Sequence, residues 1–530
     1  MAARPQTQLV VKTGSEPASP ATQPLLLFVL FFAGLILLHA PLLRLPYFWD
    51  EAGYYVPAAR DLYLSGSPIP QSTLSNLHPP LVMAWLALAW RLFGYSTLVT
   101  RTSMLALAAF SLAGLFRLAR TAANSQVAWA VVVLTALYPV FFAQSSLAQV
   151  DLAAAGFTFW ALADYLRDRP WKQALWFSLA ALAKETAIIA PAALFLWQII
   201  TVVVRDRREE LLPPKTRRTR AFHLLIPVVP LVCWFGYHYA KTGFVLGNPD
   251  FLHYNLLATL NPLRIPLAFV MRLWQAFGYF GLYVLSLAAL LAMFLRPQID
   301  NGDARPRIAI WQQAALAVVS LAYLLFMSAV GGAVLARYLL PATPLVILAA
   351  VATLWRRARY WKLIVGAIAI IFVVGLFSNP PYGFSLEDNL AYRDYVVMHV
   401  EAAQFLARDP NARVLTAWPA SDELTWPWLG YVARRFRVVR IEDFTGDEVE
   451  RASAARSQYD VALVFSTKYR PRREFFENWA AWQRTKEKFF GYHRDLLPDD
   501  IARQLGGKIV YHKEVNGQWI AVIGLEGLQK

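Results

Sequence analysis

Apolar segments long enough to cross a bilayer recur between residues 24 and 378, with short polar stretches between them. About 20 apolar residues in a helix span the ~30 Å hydrocarbon core of a membrane. The pattern therefore predicts a polytopic helical membrane protein with about eleven spans. The predicted spans are 24–43, 98–119, 126–143, 151–167, 171–186, 187–204, 221–240, 270–295, 308–329, 335–354 and 361–378.

Basic residues collect in alternate loops of this series. The positive-inside rule makes those loops cytoplasmic, so Asp50 and everything after about residue 380 are predicted to lie on the exoplasmic side. Residues 1–23, rich in Pro, Ser, Thr and Gln, are predicted to form a disordered cytoplasmic tail. The basic loop residues are Arg117, Arg120, Arg167, Arg169, Lys172, Arg205 to Arg220, Arg296, Arg305, Arg307, Arg356, Arg357, Arg359 and Lys362.

A large exoplasmic loop is predicted at residues 44–97, with two helices lying in the membrane interface. Residues 50–64 repeat apolar positions at helical spacing. The apolar run from His78 to Phe93 is short and ends near Arg91. If this run spanned the membrane, the basic loop that follows it would move outside, so we predict an interfacial helix.

The composition changes after Pro380 to that of a soluble domain, and we predict an exoplasmic α/β domain over residues 385–530. Its closing hairpin turns at Asn516-Gly517, a strong hairpin signal. Predicted strands are Arg413–Ala417, Arg437–Ile441, Val461–Ser466, Lys508–Lys513 and Gln518–Leu525, and predicted helices include Tyr392–Arg408 and Phe475–Phe489.

Composition supports a membrane protein and argues against nucleic acid as a partner. Hydrophobic residues make up 57% of the chain, and the mean hydropathy is +0.39. The net charge is +16, but basic and acidic residues balance over 385–530. The whole excess of positive charge thus belongs to the membrane part, where the positive-inside rule and attraction to lipid phosphates explain it. The single cysteine, Cys233, excludes a disulfide within the chain and a cysteine-based metal site.

The first candidate chemistry lies where the first span reaches water. Asp50 and Glu51 are adjacent carboxylates among aromatic residues that include Tyr54 and Tyr55. A carboxylate can accept a proton from a hydroxyl, and aromatic faces can stack on a sugar ring. The alternative is an interfacial aromatic belt with solvated acids.

Further charged residues lie at the exoplasmic ends of spans: Asp151, Lys184-Glu185 and Arg337-Tyr338. Charges at membrane depth are costly and mark functional sites unless they snorkel to the interface. Lys184 and Arg337 are predicted to bind a lipid-linked phosphate, one as a point charge and the other as a bidentate fork.

Two histidines on the same side have two interpretations each. His253-Tyr254, in the loop 248–264, is a polar contact or metal ligand, or else structural. His78 contacts phosphate or sugar, or caps the helix after Pro79-Pro80.

These residues occur in an order that resembles the integral-membrane glycosyltransferases with the GT-C fold. The motifs are Trp49-Asp50-Glu51, His78-Pro79-Pro80-Leu81, Gln149-Val150-Asp151, Ala183-Lys184-Glu185 and Arg337-Tyr338-Leu339-Leu340-Pro341. The similar groups are the protein O-mannosyltransferase-like and aminoarabinose (lipid A) transferase-like families. The resemblance covers residues 24–380, which would form the catalytic transmembrane domain.

The resemblance implies a hexosyl- or pentosyltransferase that uses a polyprenyl-phosphate sugar and inverts the sugar carbon. Asp50 would be the general base, and Asp151 the second carboxylate, which positions the acceptor or supports the sugar. Lys184 and Arg337, with Tyr338, would hold the donor phosphate. The acceptor would be a glycolipid, lipopolysaccharide, polysaccharide or protein. The implied location is the bacterial inner membrane, with the site facing the periplasm or exterior.

The chain also departs from the family pattern. Aminoarabinose transferases carry Glu-Lys where this chain has Leu77-His78, so a potential metal ligand and a phosphate-binding lysine are missing. No metal ligand is predicted; a divalent metal is left open as a cofactor. His253-Tyr254 resembles a His-Tyr pair in the corresponding family loop.

Two other functions compete with the transferase. A transporter or flippase for lipid-linked sugars would show repeated halves and charges near the midplane, and neither is clear here. A non-catalytic membrane assembly protein would act through its C-terminal domain, where Trp418, Trp426 and Trp428 form a sugar-stacking surface or core.

Overall fold

The computed structural model describes residues 22–203, 221–471, 479–493 and 495–525. The predicted disordered tail, except for its last two residues, and the basic loop from Arg205 to Arg220 lie outside the described residues.

Helices make up most of the described chain before residue 380. Those of eight or more residues are α1 Thr22–His39, α2 Val56–Ser65, α3 Leu81–Phe93, α4 Thr97–Ala122, α5 Ser125–Leu137, α6 Pro139–Ser146, α7 Asp151–Leu166, α8 Pro170–Ala183, α9 Ile189–Val203, α10 Val228–Thr242, α11 Arg264–Phe277, α12 Leu282–Ala292, α13 Ile310–Ala329, α14 Thr343–Arg357 and α15 Trp361–Phe377.

Helix forms at each of the predicted spans, but not every helix has the length of a span. Among the described residues, five helical stretches are long and apolar enough to cross a membrane, and α5 with α6 would make a sixth. Those two helices meet at an angle of 69°. Pro139 opens α6, and a proline disfavours helical backbone at the residue before it, so α5 ends at Leu137 and Tyr138 is extended. The number of spans therefore remains a prediction.

Helices α4 and α7 pack with almost no space between their backbones. A Cβ added at Gly156 of α7 would lie 2.0 Å from Ser111 Oγ of α4, and one at Gly114 would lie 2.6 Å from the Trp160 ring. Small residues allow this close approach in membrane helices. The packing fixes the start of α7, where Asp151 lies.

The C-terminal part contains a mixed sheet of five strands flanked by helices. Strands form at all five predicted positions; three have the predicted bounds, and the other two differ at their ends by one or two residues. Asn516 and Gly517 have φ of 50° and 80°, as a tight hairpin turn requires. The strands are β1 Arg413–Ala417, β2 Arg437–Ile441, β3 Val461–Phe465, β4 Gly507–Val515 and β5 Gln518–Leu525, and the helices are α16 Ala391–Leu406, α17 Ala420–Thr425, α18 Gly446–Ala454, α19 Ala480–Phe490 and α20 Pro498–Leu505.

The strand order is β2-β1-β3-β5-β4. Strand β1 pairs in parallel with β2 and β3, whereas β5 pairs antiparallel with β3 and β4. The predicted helix at 475–489 begins at Ala480 within the described residues, since 472–478 lie outside them.

This sheet shares one apolar core with the first loop. Buried Tyr47 and Phe48 belong to the same cluster as Tyr392 and Tyr395 of α16. Tyr47 N–H donates to Leu429 O at 3.3 Å, and the Tyr431 hydroxyl donates to Tyr47 O at 3.0 Å. The loop before α2 is thus held against the C-terminal part.

Candidate active site

Arg337 is the centre of a buried cluster of charged side chains. It lies in a short helical turn, Ala336–Leu339, between α13 and α14. Its Nη2 is 2.5 Å from Asp50 Oδ2, its Nη1 donates to Gln149 Oε1 at 2.7 Å and to Glu387, and its Nε is 3.5 Å from Asp151 Oδ2. The planar guanidinium can bind several acceptors in fixed directions. It therefore joins the first loop, the start of α7 and the segment after α15.

Lys184 forms the second cation of the cluster. Its ammonium donates to Asp151 Oδ1 at 2.6 Å and lies 4.1 Å from the centre of the Tyr338 ring. Asp151 is buried at the first residue of α7, where the helix dipole favours a negative charge. Asp151 thus pairs with both predicted phosphate-binding cations.

Asp50 reaches open space while its neighbours are buried. Its side chain is 33% exposed, compared with 3% for that of Arg337. The preceding Trp49 has φ of 45°, an uncommon backbone conformation for a residue with a side chain. A π-helical turn, Glu51–Tyr55, follows, and such turns are often found at functional sites. The backbone geometry therefore directs Asp50 away from the core.

Glu51 has a different position from its neighbour, and the substrate contact predicted for it is not supported. It is fully buried, 2.5 Å from Arg101 Nη1, and accepts hydrogen bonds from the backbone N–H of Phe48 and Ala148. Three donors satisfy the carboxylate inside the protein, so Glu51 fixes the loop rather than facing a ligand.

A cavity of about 790 Å³ opens beside Asp50. Nine of the predicted site residues line it: Asp50, Tyr54, Tyr55, His78, Lys184, Glu185, Tyr254, Arg337 and Tyr338. Asp151 lies behind this wall, beneath Lys184. His253 is exposed at the start of a π-helical turn, His253–Leu257, and does not line the cavity, so its predicted substrate contact is not supported either.

The rest of the wall is largely apolar. Side chains from three regions supply it: the first loop, the segment 246–256 and the end of α13 with the residues after it. They include Leu74, Leu77, Leu246, Phe251, Leu252, Leu256, Phe326, Met327, Val330 and Leu335. One end of the cavity is thus charged and the rest suits hydrocarbon.

His78 and Glu185 form a pair in the cavity wall. His78 Nδ1 is 2.8 Å from Glu185 Oε2, and the imidazole stacks on the Tyr55 ring with centroids 5.8 Å apart. The pair ties the loop before α3 to the turn after α8. No group of three or more His, Cys, Asp or Glu suited to a metal ion occurs within the described residues.

Several wall residues were missed because nothing in the local sequence marks them. Glu387 accepts hydrogen bonds from Arg337 and from Gln149 Nε2. In the sequence it follows the last apolar segment, where a solvated carboxylate is expected. Thr467 and Lys468 follow a strand of the C-terminal sheet, and Trp418 was predicted only as sugar-stacking surface or core of the C-terminal domain, not as part of this site. Gln149 was part of a family motif, but no role was predicted for it.

Burial also affects two carboxyl groups just after α15. It raises the pKa of Asp388 to about 8, with Glu387 adding to the effect, and the Tyr279 hydroxyl donates to Asp388 Oδ2 at 2.7 Å. Burial likewise raises the pKa of Glu387, although Arg337 opposes this. Asp388 is therefore mostly protonated at neutral pH, which limits the negative charge around Arg337.

Comparison with known protein structures identifies the fold of this chain. ArnT from Cupriavidus metallidurans bound to undecaprenyl phosphate matches 95% of this chain and 98% of its own, with TM-score 0.53 and 15% identity. Its apo form gives 0.51 and 14% over the same shares. The chain has the GT-C fold.

Sequence comparison adds to this assignment. A family described as dolichyl-phosphate-mannose-protein mannosyltransferase matches residues 77–234 of this GT-C chain. The match includes His78, Asp151 and Lys184 but not Asp50 or Arg337.

The archaeal oligosaccharyltransferase AglB from Archaeoglobus fulgidus, with an inhibitory peptide and a dolichol-phosphate, gives TM-score 0.48 at 11% identity, over 94% of this chain and 74% of its own. No curated protein sequence matches significantly.

The resemblance drawn from the sequence is thus confirmed: this is a GT-C integral membrane protein similar to the protein O-mannosyltransferases and aminoarabinose transferases.

Proposed function

We propose that this chain transfers a sugar from a polyprenyl-phosphate donor to a hydroxyl of a glycolipid, polysaccharide or protein at the exoplasmic face. The observation that carries the proposal is the Asp50–Arg337 ion pair at the charged end of a largely apolar cavity. A proton acceptor and a phosphate-binding group lie side by side there, next to a wall suited to a lipid chain.

The donor phosphate would bind Arg337 and Lys184. Both cations line the cavity, and Arg337 holds Asp50 by Nη2, the contact nearest to open space. A phosphate entering there replaces the Asp50 carboxylate on the guanidinium, since both are anions that suit the same fork. The ArnT structure with undecaprenyl phosphate supports this class of donor.

The apolar wall would hold the first isoprene units of the donor. Leucines and phenylalanines of the segment 246–256 and the end of α13 form this wall. Burial of apolar surface contributes about 25 cal/mol per Å², so part of the lipid affinity comes from this wall and not from the phosphate.

Once displaced from Arg337, Asp50 is free to act as a general base. It takes the proton of the acceptor hydroxyl while that oxygen bonds to the anomeric carbon. The bond from this carbon to the phosphate oxygen breaks on the opposite face, which inverts the configuration. The electron pair stays on the polyprenyl phosphate, where Arg337 and Lys184 stabilise the added negative charge.

Transfer from a panel of labelled polyprenyl-phosphate sugars, with extracted host membranes as acceptor, tests the proposal. General-base catalysis typically contributes about 10²–10⁴ in rate, so Asp50→Asn should lose turnover by that factor. It should bind donor at least as tightly as the wild type, because an amide competes less well for Arg337. Lys184→Gln should weaken donor binding.

The matched control is Asp250→Asn, a change of an exposed carboxylate outside the cavity wall. It should leave transfer unchanged. No transfer by folded wild-type protein from any donor would contradict the transferase and favour a transporter. Transfer by Asp50→Asn at the wild-type rate would remove Asp50 from the chemistry.

A further inference from the structure

The carboxyl ends of two parallel strands of the C-terminal sheet lie at the active-site cavity. Strand β1 lies between two parallel neighbours, β2 and β3. The chain leaves β1 to one side, to β2, and then crosses to β3 on the other side. In parallel sheets ligands bind in the crevice outside the carboxyl ends of strands at such a switch point.

The residues at that switch point line the cavity that contains Asp50. Trp418 follows directly on the last residue of β1, and Thr467 and Lys468 follow just after β3 ends at Phe465. All three belong to the cavity wall together with Asp50, Lys184 and Arg337. The cavity therefore has a second side whose side chains do not come from the membrane part.

We propose that this crevice is the acceptor subsite and that it binds an anionic saccharide, with the sugar ring against Trp418 and its acidic group on Lys468. This rests on the proposed glycosyltransferase function, for which it names the class of acceptor.

Trp418 is held beside the residue that carries Asp50. Its ring meets that of Trp49 edge-on, with centroids 5.3 Å apart. The ring also lies close to the backbone of the first loop, since a Cβ added at Gly53 would be 2.6 Å from Trp418 Cζ2. A large, rigid aromatic face next to a general base can orient a sugar hydroxyl toward it at little entropic cost.

Lys468 supplies a positive charge that the central cluster does not use. Its Nζ donates to His493 O at 3.0 Å and lies 4.9 Å from the Tyr492 ring centre. Among the described residues no carboxylate lies within 4 Å of this ammonium, and Asp495 and Asp443 act on it from farther away. Lys184 and Arg337, in contrast, are both bonded to carboxylates. An ammonium has three donors, so two remain for an anionic ligand.

The polar lining continues beyond Lys468. Lys468 also lines a second cleft, of about 130 Å³, with Trp519, Gln483 and Asp495. Such a mixture of aromatic and polar side chains suits a carbohydrate, which has both apolar ring faces and hydroxyls. A saccharide bound at Lys468 would therefore also contact this cleft.

Equilibrium binding of three tetrasaccharides to the full chain in detergent tests the proposal without requiring transfer. The probes are a neutral glucose tetrasaccharide, the glucuronate of the same linkage, and the glucose tetrasaccharide carrying a phosphate. Wild type should bind the acidic probes about tenfold more tightly, as expected for one charge-assisted hydrogen bond. Whether carboxylate or phosphate binds better distinguishes the two anionic groups.

Variants assign the effect to the two side chains. Lys468→Gln should remove the preference for acidic probes, and Lys468→Arg should restore it. Trp418→Ala should weaken all probes, and Trp418→Phe should weaken them less. Lys488→Gln, a change of an exposed lysine, is the matched control. Equal affinity for all probes, or no effect of Lys468→Gln, would overturn the subsite.

Kinetics separates this inference from the proposed function. In an active enzyme, Lys468→Gln should raise the acceptor KM and leave the donor KM unchanged. A raised donor KM instead, or competition between a short-chain polyprenyl phosphate and the acidic probes, would place Lys468 in the donor site and overturn the proposal. Donor turnover would in that case still establish the transferase.

Discussion

At the scale of single residues, the cluster around Arg337 distinguishes the roles of side chains that look alike in the sequence. Asp50 and Glu51 are adjacent, yet Asp50 faces the cavity and Glu51 is buried against Arg101. The positive φ of Trp49 and the π-helical turn after Asp50 produce this difference. Neither feature can be read from the order of the residues, so the sequence predicted a site role for both carboxylates, with Asp50 as the base.

Arg337 should not tolerate replacement by lysine. An ammonium cannot reach Asp50, Gln149 and Glu387 at once, because its donors diverge from a single atom. Arg337→Lys should therefore reduce transfer by about 100-fold, the size of effect lost with a single electrostatic group at a reacting centre. Steady-state transfer with wild type as reference measures this. A variant with wild-type activity would show that only the charge matters.

Asp388 should make stability depend on pH, in a direction set by its burial. Its pKa is raised to about 8 in the folded chain, against ~3.9 for an unfolded aspartate. The folded state binds the extra proton between these values, so its advantage is complete below about pH 4 and is lost as the pH rises through about 8.

Asp388→Asn removes this proton and keeps an acceptor for Tyr279. The variant should lose the decrease in Tm that we expect for wild type as the pH rises from about 4 to 8. Thermal unfolding in detergent across this range is the measurement. Parallel pH profiles for the two proteins would contradict the assignment to Asp388.

At the scale of elements, the close contact of α4 with α7 holds Asp151 in its position in the site. Gly156→Ala would place a Cβ 2.0 Å from Ser111 Oγ and 3.1 Å from Ser111 Cα, which is backbone and cannot rotate away. Overpacking of this kind costs about 1–3 kcal/mol. Because α7 begins at Asp151, a shift of the helix also moves the partner of Lys184.

Gly156→Ala should therefore lower both Tm and transfer. Gly366→Ala is the matched control, since a Cβ there meets nothing within 4 Å, and it should change neither property. Ser111→Gly in the Gly156→Ala background removes the Ser111 side chain and should recover part of the loss. Failure of Gly156→Ala to reduce Tm would mean that the two helices separate easily.

The helices and strands were largely predictable from the sequence, but the contacts between them were not. Strands such as β1 and the Asn516-Gly517 turn follow from local alternation and turn chemistry, and the helices follow from apolar runs. The cavity depends on contacts between residues far apart in the chain, such as Glu387 with Arg337. His253 is the reverse case, because its family-like dipeptide contributes Tyr254 to the cavity wall while His253 itself is not part of that wall.

At the scale of the whole molecule, the C-terminal part and the first loop form one structural unit. Tyr392 and Tyr395 share a core with Tyr47 and Phe48, and the Tyr95 hydroxyl donates to Trp428 O at 2.9 Å. The sequence predicted a separate domain over residues 385–530. The shared core means that a cut near residue 380 would expose apolar surface on both sides.

A chain ending at residue 380 should therefore be inactive and poorly folded even if the chemistry belongs to the membrane part. The truncation removes Glu387 from Arg337 and Trp418 from Trp49 as well as the shared core. Its inactivity thus does not favour an assembly protein over an enzyme. Glu387→Gln with the full chain retained makes the distinction, because the core stays covered.

For Glu387→Gln we expect a folded protein with reduced transfer. The amide removes one negative charge beside Arg337 but still accepts a hydrogen bond from it. Detergent size exclusion and Tm establish the fold, and the transfer assay establishes the activity. The truncated chain should instead aggregate in the same detergent. A monodisperse truncated chain that still transfers sugar would show that the membrane part folds alone and that Glu387 and Trp418 are dispensable.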